Sequence, residues 1–388
     1  MNYLDYAATA PVLEEALEAM LPYYRGGFGN PSSVYALGRE AKKGIEEARE
    51  QVAAAVGAEP AEIIFTGGGT ESDNQAIKGA AFKMRAHGNH VIASAVEHHA
   101  VLHSAEWLER QGFRVTFLPV DQQGLADLSA LEAALSKETI LVSVMLANNE
   151  VGVIQPVREI VRIVRERSRA LVHTDAVQGL GKIPMNLEDL GADLASFSAH
   201  KVGGPKGVGA LFVRRKTPVE PLLHGGGQER DLRSGTHNVA GIAGFGAAAQ
   251  IAAKEAEQEG ERLRPLRDRL ESEIARRIEG VKVNGAGAPR LPGTLNVCIE
   301  GVEGESLLLM LDAEGIAASS GSACTSGSMD PSHVLMAMGV PPELAHGSLR
   351  ISMGRATTED DVDAVLKALP PIVERLRSIA PKNLARSR

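Results

Sequence analysis

The sequence predicts an α/β protein: a large domain built on a mostly parallel, seven-stranded sheet covered by helices, followed by a smaller α+β domain. Three observations carry this. Short apolar runs alternate with amphipathic helical stretches from Pro31 to Val213, as parallel strands joined by crossover helices do. After Thr236 the alternation gives way to a long Ala- and charge-rich stretch and then to mixed short elements. At 388 residues the chain is too long for one small core.

The first helical stretch, LGREAKKGIEEAREQVAAAVG, places Leu37, Ala41, Ile45, Ala48, Val52 and Val56 on one face with charges opposite. Seven strand candidates follow, at residues 62–66, 90–95, 114–120, 139–146, 170–175, 194–198 and 208–213. Helices are expected at 101–111, 125–135 and 157–167. The stretch 238–279 reads as long helix interrupted near Gly260 and Pro265. Beyond it, strand LNVCI, helix GESLLLMLDAEG, a Gly/Ser loop and strand SLRISM make the α+β unit. The last nine residues, 380–388, read as polar and frayed.

A net charge of -8 argues against a general nucleic-acid partner. No apolar run is long enough to span a bilayer, and the N-terminus MNYLDYAATAPV lacks the basic and apolar regions of a signal peptide. Two cysteines make a disulfide framework implausible and fit a reducing cytoplasm.

Residues 170–207 are the most informative. One apolar run ends in Asp175, the next in Ser198, His200 and Lys201. An acid and a lysine delivered by neighbouring strand ends suit pyridoxal phosphate (PLP): the lysine forms a Schiff base with the aldehyde, and the carboxylate keeps the pyridine nitrogen protonated. An ordinary ion pair at a sheet edge uses the same residue types. TGGGTESDN follows a strand and opens a helix, so Gly69 and its neighbours bring N–H groups, and Thr70 a hydroxyl, towards an anion. It lacks both the P-loop lysine and the dinucleotide glycine spacing, and a single phosphate suits it better. A plain Gly-rich turn is the alternative. VEHHAV places His98 and His99 after a strand; one can stack on a planar cofactor and move protons, and we assign that to His98 and a surface position to His99. Asn149 in LANNEVGV and Gln178 in TDAVQ can donate to a ring oxygen or a carboxylate, or serve as an Asx-turn residue and an exposed glutamine. HGGGQERDLRSGTHN offers Arg230, Arg233 and Thr236 as further donors. Cys298 lies among apolar neighbours, as structural cysteines do. Cys324, in SSGSACTSG, has no such setting and suits an outward-reaching nucleophile, with an incidental surface thiol as the alternative. Arg350 in HGSLRISMGR has the planar fork to clamp a carboxylate, although surface ion pairs are the usual fate of arginines.

Taken in order, DYAATAP, GNPSS, FTGGGTESDN, EHHAV, NNEVGV, HTDAVQ, SFSAHKVGGPKGVGALFVRR, HGGGQERDLRSGT, VEGESLL, SSGSACTS and ELAHGSLRISMGR span nearly the whole chain. The series resembles the cysteine desulfurases of the NifS/IscS kind, in the class V, fold-type I aminotransferase superfamily. The long Ser/Gly loop around Cys324 is more similar to the IscS/NifS group than to the SufS group. The resemblance implies PLP on Lys201, with Asp175 at the pyridine nitrogen and His98 stacked over the ring. Asn149 and Gln178 would contact the ring oxygen. Gly69, Thr70, Ser198 and His200 would hold the phosphate, and Thr236 would reach the phosphate of the other subunit of a homodimer. Arg350, with Asn149, would bind the carboxylate of L-cysteine. Cys324 would take the substrate sulfur as a persulfide, leave alanine, and hand the sulfur to an iron–sulfur scaffold or another acceptor. No resident metal is implied; Cys324 would touch an iron–sulfur cluster only transiently. The implied domains are 16–261, and 1–15 with 262–388. Selenocysteine lyase, or another lyase of this fold, is the competing activity.

Overall fold

The computed structural model describes residues 1–320 and 331–379. Its central sheet has seven strands: β1 (Ile63–Thr66), β2 (His90–Ser94), β3 (Arg114–Leu118), β4 (Thr139–Ser143), β5 (Leu171–Asp175), β6 (Leu194–Ser198) and β7 (Gly209–Val213). Their spatial order is β1-β7-β6-β5-β4-β2-β3. β7 alone runs against the rest, pairing antiparallel with β1 and β6. The mostly parallel, seven-stranded expectation therefore holds. All residues of β2, β4, β5, β6 and β7 are buried, as a sheet covered on both faces requires. Successive side chains enter opposite layers: Ile63 and Phe65 join one core, and Ile64 the other. The helix Ala36–Val56 packs Ile45, Ala48, Val52 and Val56 into the first core. Leu37, expected on that face, is exposed in the helix's first turn.

The second unit contains β8 (Val281–Val283), β9 (Thr294–Ile299) and β10 (Ser348–Ser352), antiparallel in the order β10-β9-β8. Helices Gly304–Ala313 and Glu359–Ile379 complete it. The N-terminal strand Asn2–Tyr3 pairs parallel with Ile316–Ala317, and Leu4 enters this unit's core.

A 39-residue helix, Val239–Arg277, links the two cores without the expected break at Gly260 and Pro265. Proline removes one N–H but has a helical φ. Burial holds the helix together on both sides of it: Ile242, Phe245 and Ala248 pack in the first core, and Leu263, Leu266, Leu270 and Ile274 in the second. Residues 380–388 lie outside the described residues.

The Gly-rich loop after β7 turns through three left-handed residues, Glu229, Arg230 and Asp231. A buried ion pair fixes it. Glu229 accepts from Arg49 at 2.7 and 2.8 Å, from Phe65 N at 2.8 Å, and lies 2.7 Å from His237 Nε2. Burial alone would raise this carboxyl, but the hydrogen bonds of Arg49 and His237 hold it at about 2. Its contribution to stability is therefore complete above the ordinary glutamate range and fades as pH falls towards 2. Glu229→Ala should cost about 3 kcal/mol in urea unfolding at pH 7, with the difference from the parent shrinking as the pH is lowered. Equal stability of the two at pH 7 would contradict this role.

Candidate active site

Parallel β5 and β6 pair in a register that sets Asp175 beside Ser196. Both strands thus end at the same edge, where open α/β sheets bind ligands. Asp175 closes β5, buried, with one oxygen accepting from Val177 N at 2.9 Å. Burial raises its carboxyl to about 6, against the Val177 hydrogen bond and the charge of Lys201. Lys201 ends the helical turn after β6, and its Nζ donates to Ala7 O and Ala8 O, both at 2.7 Å. His200 Nδ1 lies 3.1 Å from Thr9 Oγ1. Burial, then Lys201, lowers this imidazole to about 4.

His98 caps the helix His99–Arg110, its Nδ1 accepting from Ala100 N at 3.1 Å. Its hydrogen therefore sits on Nε2 in the neutral ring. Burial, followed by the charge of Lys201, holds its pKa at about 4, so the ring is neutral at pH 7. His99 is not the surface residue expected. Its ring centroid lies 4.9 Å from that of His103 and 4.6 Å from that of His333, because the helix places His99 and His103 one turn apart.

The glycine-rich loop reaches this edge from β1. Gly68 has φ +147°, a conformation that favours glycine. A Cβ on Gly69 would lie 2.9 Å from Val177 Cγ2 and 3.4 Å from Ser198 Cβ. The position beside the buried Ser198 hydroxyl is therefore a cradle without side-chain bulk. Thr70 is exposed in the first turn of the helix. Thr236 is also exposed, on a loop that Arg233 ties to Thr70's helix by an ion pair with Glu71 at 2.7 Å. Arg230 and Arg233 are engaged in such contacts, Arg230 with Ile63 O, and neither stands as a free donor pair.

The Asx turn after β4 belongs to Asn148, whose Oδ1 accepts from Glu150 N at 2.8 Å and Val151 N at 2.9 Å. Asn149 beside it is half-buried, and its carbonyl accepts from Arg350 Nη1 at 2.9 Å. Arg350, on β10, also pairs with Asp5 at 2.8 Å. Its buried Nε–H has no partner among the described residues, which leaves a donor for an incoming carboxylate. Gln178 is buried, not exposed. Its Nε2 donates to Ala7 O at 2.9 Å, and its Oε1 accepts from Lys182.

Cys324 lies outside the described residues, but both flanks of its loop are fixed here. Ser319 exchanges two backbone hydrogen bonds with Arg350. Beyond the loop, Ser332 donates to Glu150, and His333 Nε2 lies 2.9 Å from Glu97 O. Cys298 is buried in β9, as expected.

Three buried groups beneath this edge escape sequence reasoning. Burial, then the charge of Asp175, pushes Asp73 and Glu97 well above the carboxylate range. His173 bridges Ser143 and Ser196 at 2.9 and 3.0 Å, neutralised by burial to about 3. All three stand in quoted motifs, yet only their inward direction marks them.

The structure thus gathers Asp175, Lys201, His98 and His200 around one edge, with the Gly69–Ser198 cradle on one side and Arg350–Asn149 on the other. The donor set fits PLP: a buried acid for a pyridinium, a lysine, and an anion cradle without side-chain bulk.

A model of the aminotransferase class-V family matches residues 2–365. The cysteine desulfurase IscS of Dictyoglomus turgidum is 53% identical over 379 residues, covering 98% of this chain and 96% of the relative. Cysteine desulfurase IscS 1 of Archaeoglobus fulgidus is 48% identical over 381 residues, with 98% and 99% covered. Among solved structures, a NifS-like protein superposes with a TM-score of 0.90 at 42% identity, covering 96% of this chain and 99% of the other. A structure of SspA in complex with cysteine gives 0.79 at 37% identity, with 90% and 98% covered. The chain belongs to the class-V aminotransferase family.

Proposed function

We propose that this chain is a PLP-dependent cysteine desulfurase, which takes sulfur from L-cysteine, releases L-alanine and holds the sulfur as a persulfide on Cys324. The carrying observation is the convergence of Asp175, Lys201, His98 and Arg350 at one sheet edge, in a chain similar over nearly its full length to curated cysteine desulfurases. PLP, when bound, supplies a protonated ring that withdraws electrons from the amino acid's α-carbon. Lys201 would hold the coenzyme through Nζ, and the same amine is the base that would take the substrate's α-proton. Asp175 would accept the pyridine N–H bond, and such a cation would offset the burial that raises its carboxyl. His98 would cover the ring, with Nε2 as its donor, because Nδ1 is committed to the helix cap. Gly69, Thr70, Ser198 and His200 would hold the phosphate, and Asn149 and Gln178 would contact the ring oxygen. Arg350 takes the substrate carboxylate through donors that include its unpartnered Nε–H. The Cys324 thiolate attacks the substrate sulfur: an S–S bond forms, the Cβ–S bond breaks, and the carbon left behind gains a proton to become alanine's methyl group.

This reading places residues 1–15 and 262–388 in a small domain that carries the cysteine loop, over a large domain of 16–261. It places the protein in the cytoplasm as a homodimer, with Thr236 reaching the partner's phosphate and an iron–sulfur scaffold or other protein accepting the sulfur. Among the described residues, no helix is long and apolar enough to cross a membrane.

Cys324→Ala should abolish sulfide release from cysteine in the presence of a reductant while leaving the coenzyme's absorbance intact; undiminished release would overturn the mechanism. A second prediction concerns Asp175 in cofactor-free protein. Its carboxyl is raised to about 6 from 3.8, so the native state keeps a proton that the unfolded chain loses, and stability falls as pH rises through that window. Asp175→Asn should therefore stabilise the cofactor-free protein by about 2 kcal/mol at pH 8, and not at pH 3, while weakening PLP binding. Urea unfolding at the two pH values and a coenzyme titration check this; equal stabilisation at both pH values would contradict it.

A further inference from the structure

Lys201 and Ala7 line a cavity of about 350 Å³ whose other walls include none of Asp175, His98 or Arg350. Its walls come from the N-terminal segment (Ala7, Pro11, Leu13), the long helix (Leu263) and the turn after β10, and it contains a second lysine, Lys182. Lys182 Nζ donates to Gln178 Oε1. The same amide donates through Nε2 to Ala7 O, the carbonyl that also receives Lys201 Nζ. One amide and one carbonyl therefore join the two lysines.

The charges around Lys182 leave it poorly compensated. Lys201 and Arg350 oppose its charge, and Asp5 favours it. Asp5 is already paired with Arg350 at 2.8 Å. The cavity's two acids are also engaged, Glu255 with Arg355 at 3.2 Å and Glu259 with Arg262 at 2.7 Å. The hydrogen bond from Lys182 goes to a neutral amide.

We infer that Lys182 is a positioning residue for the Schiff-base lysine: through Gln178 and Ala7 it fixes where Lys201 Nζ rests, and its charge disfavours a proton on Lys201. A nucleophilic amine must be unprotonated to attack a carbonyl, and a cationic neighbour in a desolvated site promotes that state. Burial, then the charges of Lys201 and Arg350, bring Lys182 itself to about 7. This inference rests on Lys201 as the coenzyme's lysine.

The test uses cofactor-free full-length protein, which separates it from the activity reading. Competitive labelling of amines across pH, read peptide by peptide by mass spectrometry, gives a midpoint for each lysine. In the unaltered protein, Lys182 should titrate near 7; a midpoint in the ordinary lysine range would overturn the inference, and this readout needs no variant to fold. Lys182→Met should move the Lys201 midpoint up by about one pH unit, and Lys182→Arg should leave it in place. An unmoved Lys201 in Lys182→Met, or an equal shift in both variants, would overturn the role of charge.

Discussion

The structure depends on one electrostatic arrangement: a buried acid, Asp175, and a lysine, Lys201, brought to the same edge of a mostly parallel sheet. Asp73 and Glu97 lie near Asp175, and burial pushes both well above the carboxylate range. Burial disfavours charge on both, and the charge of Lys201 favours it on Asp175. His98, His173 and His200 are held neutral by burial. The site therefore presents a few fixed charges on a neutral polar floor, where each counts for more than in water.

The first ten residues hold this arrangement in place. Asp5 pairs with Arg350, Ala7 O receives Lys201 and Gln178, Ala8 O receives Lys201 again, and Thr9 meets His200. Tyr3 hydroxyl closes the segment on itself by donating to Thr9 O at 2.7 Å. The segment also pairs with Ile316–Ala317, shortly before the cysteine loop. One strap of chain thus touches Lys201, Arg350 and the strand Ile316–Ala317. A shift in the second unit would be felt at Lys201 through backbone carbonyls rather than through flexible side chains.

Much of the fold is legible in the sequence because it rests on local signals. Most of the strands are short runs rich in Val, Ile, Leu and Ala, and all seven fall within the expected ranges, β3 with Arg114 and Phe117 exposed among them. Asp175 and Lys201 stand out because each closes such a run. The misreadings share a cause, which is that tertiary packing outweighs local preference. Pro265 does not break its helix, because leucines on both sides are buried. His99 is drawn inward by His333, which lies 234 positions away in sequence and 4.6 Å away between ring centroids. The Asp5–Arg350 pair and the Glu229–Arg49 pair join distant parts of the chain, and no spacing rule reveals them. A lysine after a glycine turn is ordinarily a surface residue; the cavity that Lys182 lines is what marks it.

The central claim is that Lys201 is the residue joined to the coenzyme while Asp175 faces it. The most direct measurement is to load the protein with PLP, reduce it with borohydride and map the modified peptide by mass spectrometry. The account predicts a single phosphopyridoxyl group on Lys201, formed far less readily in Asp175→Ala. A group on Lys182 or on a surface lysine instead, or protein that stays colourless with PLP, would contradict it.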